Sequence, residues 1–152
     1  MHLNESPWIL EREARQIALE AIRSVCRHRQ WIAHAIHIRA THVHAVITGE
    51  AAPERMLSDF KAYATRALRL AFPDVQRQRY WANHGSTRYL WNEVSFRAAM
   101  DYVLNGQGER MSAIPIMSKI SARIWSLTLP APFQYARMIA PISIVQVDAE
   151  LL

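Results

Sequence analysis

The sequence predicts an α+β fold, and three observations carry that prediction. Apolar residues recur at three-and-four spacing in three separate stretches. Between the first two lies a segment of strict two-residue alternation, rich in β-branched residues. The resulting order is helix, strand pair, helix, loop, helix, which mixes the two periods within one core.

Ser6-Pro7 reads as an N-cap followed by proline at the first helical position, where a missing N–H is no loss. Ala14, Ile17, Ala18, Ala21, Ile22, Val25 and Cys26 then form one stripe, so a first helix is expected from there to about Arg29. From Trp31 to Arg39, Ile32, His34, Ile36 and Ile38 alternate with Trp31, Ala33, Ala35 and His37. On that pattern His34 and His37 fall on opposite faces. Thr41 to Thr48 continues in the same style, with Ala40-Thr41 as a tight turn or bend.

Pro53 opens a second helix with the stripe Met56, Leu57, Phe60, Ala64, Ala67, Leu68 and Ala71, and Pro73 closes it. Its other face is basic. Residues 74–91 are polar, basic and aromatic and read as a long functional loop, with a short strand at Thr87 to Leu90. Asn92 or Ser95 caps a third helix whose buried face is Phe96, Ala99, Met100, Val103 and Leu104, ending at Gly106-Gln107-Gly108. Beyond it, prolines interrupt the apolar stretches, and Ile142 to Val147 is the one convincing strand. The division expected is residues 1–108 as the main domain and 109–152 as a C-terminal tail.

A chain of 152 residues can bury a core without a disulfide or structural metal. The 18 Lys and Arg exceed the 13 Asp and Glu, giving a formal charge of +5 and a pI near 9.9, a balance that favours polyanionic partners. Cys26 has no second cysteine to bridge, and no secretory leader is evident, so a cytoplasmic location is expected. No apolar run approaches the roughly 18 residues that span a bilayer, so no membrane association is expected.

The chemistry concentrates at Thr41-His42-Val43-His44-Ala45-Val46-Ile47. Residues two apart in a strand share a face, so His42 and His44 project side by side and two neutral imidazoles can share one divalent cation. Two ordinary strand histidines would show the same spacing. On the third helix, Tyr102 falls roughly 140° from the centre of the buried arc and is available to a substrate.

Taken in order, the His42-Val43-His44 strand, Asp59-Phe60-Lys61-Ala62-Tyr63, Leu90-Trp91 and the Tyr102 helix ending in Asn105-Gly106-Gln107 resemble the HUH single-tyrosine transposases, including their REP-associated relatives. The resemblance spans roughly Pro7 to Gly108. It implies a ferredoxin-like antiparallel sheet with two main helices and a nucleophile-bearing helix. It also implies Mg2+ or Mn2+ on His42 and His44, Tyr102 as nucleophile, a 5′-phosphotyrosine intermediate, a single-stranded or hairpin DNA substrate, and a homodimer. Family members complete the metal site with an amide about one turn after the tyrosine, where this chain has Gly106. Asn105 or Gln107 is left for that role, and Gln107 is preferred on the resemblance.

Arg77, Arg79, Tyr80, Trp81, Arg88, Tyr89 and Trp91 offer cations for phosphates and planes for unpaired bases, and Lys61 and Arg66 extend the track. The same tryptophans would equally serve as core residues clamping a loop. The chain departs from the family in one further respect. The family opens with a strand beside the histidine strand, whereas only Met1 to Glu5 precede Ser6-Pro7, too few for a normal strand. Loss of that strand would expose a sheet edge at the metal site, unless Ile142 to Val147 pairs in its place. The alternative to an active enzyme is a nucleic-acid-binding remnant without strand cleavage. An unrelated small α+β protein with structural histidines is the third reading.

Overall fold

The computed structural model describes residues 6, 8–105, 114–115 and 143–151. The chain is α+β. Its elements are α1 (Arg12–Arg29), β1 (Ile32–Ile38), β2 (His42–Gly49), α2 (Pro53–Ala71), β3 (Trp81–Tyr89), α3 (Glu93–Asn105), β4 (Ile114–Pro115) and β5 (Ser143–Leu151).

The expected stripe of α1 is buried at Ala14, Ala18, Ile22, Val25 and Cys26, but the helix begins at Arg12 rather than near Ser6. Tertiary contacts account for the later start. Leu10 N–H donates to the Ala40 carbonyl (2.8 Å), its side chain is fully buried, and Trp8 packs edge-on against Phe72 and Tyr80. These anchors hold residues 8–10 against the body of the fold, outside the helix. At the other end, Gln30 adopts a left-handed conformation (φ 59°), returns its N–H to the last turn, and hands the chain to β1 through Trp31 N–H on the Cys26 carbonyl (2.9 Å).

β1 and β2 form an antiparallel hairpin closed at Ala40-Thr41, where Arg39 N–H donates to the His42 carbonyl (2.7 Å). Their register is irregular between Ala33 and Ala35. This bulge overturns the expectation that His34 and His37 face opposite sides, because one extra residue resets the alternation. His37 lies opposite His44 in the ladder, and His34 reaches Thr48 Oγ1 (2.7 Å), a residue of the His44 face.

Residues 81–89 form a full strand rather than the expected loop. Their partner is β5, which extends the anticipated strand to Leu151 and pairs antiparallel with both β3 and β2. The sheet order is β3-β5-β2-β1-β4. β5 therefore occupies the position beside the histidine strand, and β2 has neighbours on both sides.

Alternation along β2 sorts the two faces. Val43, Ala45 and Ile47 pack with Met56, Phe60, Ala64 and Leu68 of α2 and with the α1 stripe. Val46 packs instead with Ala35, Leu90, Phe96, Ala99 and Val103 under α3. An ion-pair bridge ties α1 to α2: the buried Asp59 carboxylate meets Arg29 Nε (3.0 Å) and Arg55 Nε (3.1 Å). α3 is capped by Asn92, whose Oδ1 accepts from Ser95 N–H (2.8 Å).

Candidate active site

His42 and His44 share the α3 face of the sheet, as their spacing requires. Their rings are stacked nearly parallel, 3° between planes and 5.9 Å between centroids. His44 is buried, whereas His42 is partly open. Thr41 Oγ1 engages His42 Nδ1 (2.8 Å) and fixes the ring from behind, as polar groups commonly do for metal-binding imidazoles.

Tyr102 lies across this pair. Its ring meets His44 edge-on at 5.8 Å and 85°, while 46% of the residue is exposed. Phe96, Ala99 and Val103 hold α3 down on the sheet, so the tyrosine is presented from an anchored helix beside the histidines. Asn105 Nδ2 donates to Asp101 Oδ1 (2.8 Å) on the outer side of α3, and Gln107 lies outside the described residues.

Sequence reasoning gave His34 and His37 no part here, yet the bulge brings both to this face. His34 stands edge-on to Phe96 at 5.1 Å, and burial depresses its pKa to about 4. It is a neutral support beneath α3. His37 is almost fully buried, and its pKa is lowered by burial and then by the neighbouring His44 and Arg39. Its Nδ1 has no hydrogen-bond partner. A buried polar atom in that state is what a bound ion or water would satisfy. No sequence signal announces a bulge here, since Ala33-His34-Ala35 contains no glycine.

The candidate nucleic-acid residues divide. Arg88 falls on the histidine face, since its register through Gln146 leads to Val46. Trp91 is 76% exposed and stacks on Tyr89, centroids 4.8 Å apart and planes at 19°. Tyr80 and Trp81 are instead core residues; Trp81 Nε1 donates to Thr65 Oγ1 (2.9 Å). Arg77 donates to the Ser6 carbonyl (2.6 Å), and Arg79 to Asn83 Oδ1 (3.3 Å). Lys61 and Arg66 stand on α2, across the sheet from Tyr102. Lys61 donates to the Ala82 carbonyl (2.7 Å), and Arg66 lies over the Tyr63 ring (5.5 Å). With Thr65 and Arg69 they line an open groove on that far side.

Cys26 is sealed in the core, and burial pushes its thiol up to about 12, which removes it from nucleophilic chemistry. Among the described residues no helix is long and apolar enough to cross a membrane.

An α+β domain with a histidine pair and a presented tyrosine on one sheet face defines the class, and the comparisons give the family. The family described as "Transposase IS200 like" matches residues 4–103. The chain belongs to that family of DNA transposases. No curated protein and no solved structure gives a match.

Proposed function

We propose that this protein cuts and rejoins single-stranded or hairpin DNA on a ferredoxin-like scaffold, with Tyr102 as nucleophile and Mg2+ or Mn2+ held by His42 and His44. The observation that carries this reading is the edge-on contact of Tyr102 with His44 in a chain of a transposase family. The donor set fits a divalent cation: two imidazoles on one strand, a hydroxyl behind one of them, and an unsatisfied buried nitrogen on the next strand. When bound, the cation polarises the phosphodiester and offsets charge on the phenolate. Gln107 remains the amide ligand of this reading.

Tyr102 Oη attacks phosphorus, the Oη–P bond forms, and the bond from phosphorus to the 3′-oxygen breaks. The phenol loses its proton to solvent and the departing oxygen gains one. The products are a 5′-phosphotyrosine link and a 3′-hydroxyl, and reversal rejoins the strand with no nucleotide cofactor. Arg88, Arg77 and Arg79 engage phosphates, Trp91 with Tyr89 stacks an unpaired base, and Lys61 and Arg66 supply charge to flanking DNA. The same reading includes a homodimer in the cytoplasm.

The test is incubation of the purified chain with labelled hairpin DNA and Mn2+, resolving covalent adducts by denaturing electrophoresis. An adduct formed by the wild type and lost in Tyr102→Phe is the expected result. A folded protein that retards the DNA without forming an adduct would identify a binding remnant instead.

A further inference from the structure

The bulge in β1 places two histidines under α3 at matching intervals. His34 meets Phe96 edge-on at 5.1 Å in the first half of the helix, and His37 hydrogen-bonds the backbone of Val103 in its last turn. Three residues of strand and seven of helix each span roughly 10 Å, so the two contacts keep step. Without the irregularity between Ala33 and Ala35 the two side chains would point to opposite faces.

His37 is 2% exposed and lies directly opposite His44 in the β1–β2 ladder. Opposed residues of an antiparallel pair share a face, with Cβ atoms about 4.5–5.5 Å apart. Its Nδ1 has no partner, which leaves Nε2 as the nitrogen that donates to the Val103 carbonyl. The last carbonyls of a helix have no partner within it, so the donor meets a group that needs one.

As core filling, this imidazole is a poor choice. A buried polar atom without a partner costs about 1–3 kcal/mol, which an aliphatic side chain of similar size would avoid. What histidine adds is a directed bond. Phe96, Ala99 and Val103 press α3 onto the sheet, but apolar contact is non-directional and lets a helix slide or turn slightly. A hydrogen bond confines donor and acceptor to about 2.7–3.2 Å and to a narrow range of angles. This one is made one residue from Tyr102, by the strand that pairs with the His44 strand. Tyr102 is itself nearly half exposed, so its place beside His44 depends on how the helix is held.

We propose that His37 is a positioning residue that, through Val103, sets where Tyr102 stands over His44. The inference rests on the reading of Tyr102 as nucleophile and adds the group that aligns it.

The experiment compares the wild type with His37→Leu, His37→Asn and His37→Gln as full chains. The Gln amide nitrogen reaches the place of Nε2, whereas the shorter Asn amide reaches only that of Nδ1. One readout is the rate of covalent adduct formation at saturating hairpin DNA with Mn2+, set beside the DNA dissociation constant. The other is hydrogen–deuterium exchange of the peptide covering the last turn of α3. His37→Leu and His37→Asn should slow adduct formation at least about tenfold, since a misplacement near 1 Å can cost about 100-fold. Their DNA dissociation constants should stay within about twofold of wild type, and exchange in the last turn should rise. His37→Gln should bring rate and exchange back to within about threefold of wild type. A Leu variant that forms adduct within about twofold of the wild-type rate overturns the inference, as does a Gln variant as slow as Leu. If the wild type forms no adduct, the strand-cutting reading fails and exchange alone decides this one. Equal protection of the last turn in wild type and His37→Leu then overturns it, and faster exchange restored by Gln upholds it. Should His37→Leu not fold, the Asn and Gln variants are judged by the same criteria.

Discussion

The phenol ring of Tyr102 stands edge-on to the imidazole of His44, planes at 85°, while nearly half of the tyrosine is open to solvent. One edge is thus fixed by packing, and the hydroxyl remains available. Replacing Tyr102 with Phe keeps the ring contact. The melting temperature should move by less than about 2 °C, as for an exposed polar group, while the covalent DNA adduct disappears. A much larger drop in melting temperature would mean that the hydroxyl anchors α3 rather than serving chemistry.

Trp91, exposed and stacked on Tyr89, is held in place by a ring that costs the fold little to lose. Trp91→Ala should leave thermal stability nearly unchanged and weaken binding of a single-stranded oligonucleotide by about 1–3 kcal/mol, the usual value of one base–aromatic stack. Fluorescence anisotropy at fixed salt measures it. Unchanged affinity would remove Trp91 from the DNA path.

Asp59 is the shared carboxylate between Arg29 and Arg55 and joins the two helices that cover the far face of the sheet. Asp59→Asn leaves two guanidinium groups without their counter-charge. Urea unfolding should show a loss of about 2–4 kcal/mol, discounted from a fully buried pair because both arginines reach solvent.

Burial holds His34 near pKa 4 in the folded chain against an ordinary 6.5. The unfolded chain therefore takes up a proton first as the pH falls. The contribution is complete above about pH 6.5 and is lost progressively as the pH drops towards 4, by at most about 3 kcal/mol. His37, also lowered by burial, acts in the same direction. Chemical denaturation at intervals between pH 7 and 4 should show this slope, and His34→Gln should flatten it.

At Gly49 an added Cβ would fall within 2.9 Å of Trp31 Cγ and Nε1 and closer still to Cδ1. Trp31 is itself packed edge-on against Phe60 and has nowhere to retreat. Gly49→Ala should destabilise the protein by about 1–3 kcal/mol through overpacking. Thermal melting decides it, and a neutral substitution would show that the ring can swing aside.

The features legible in the sequence were those set by local periodicity. The stripes of α1, α2 and α3, the β1–β2 hairpin and the shared face of His42 and His44 follow from residues a few positions apart. What depended on distant partners was hidden. β3 looked like a loop because its polar, aromatic run becomes a strand only when β5 lies beside it. The His34 bulge left no mark in an alanine-flanked stretch, and α1 started late because Leu10 and Trp8 answer to Ala40, Phe72 and Tyr80. The alternation that suggests a strand at Ile142 to Val147 runs on to Leu151, where β5 ends, but its partner and register are set by distant residues.

The insertion of β5 between β2 and β3 also orders events in time. Contacts that join residues 42–49 to residues 143–151 are among the most distant in sequence, so closing the sheet requires a long loop to be drawn in and sets a slow step in folding. During synthesis the histidine strand waits as an open edge until the distal segment has emerged. A nascent chain would thus carry the tyrosine and both histidines well before it holds them in a closed sheet. On this topology, the histidine strand gains its second neighbour only after residues 143–151 have been made.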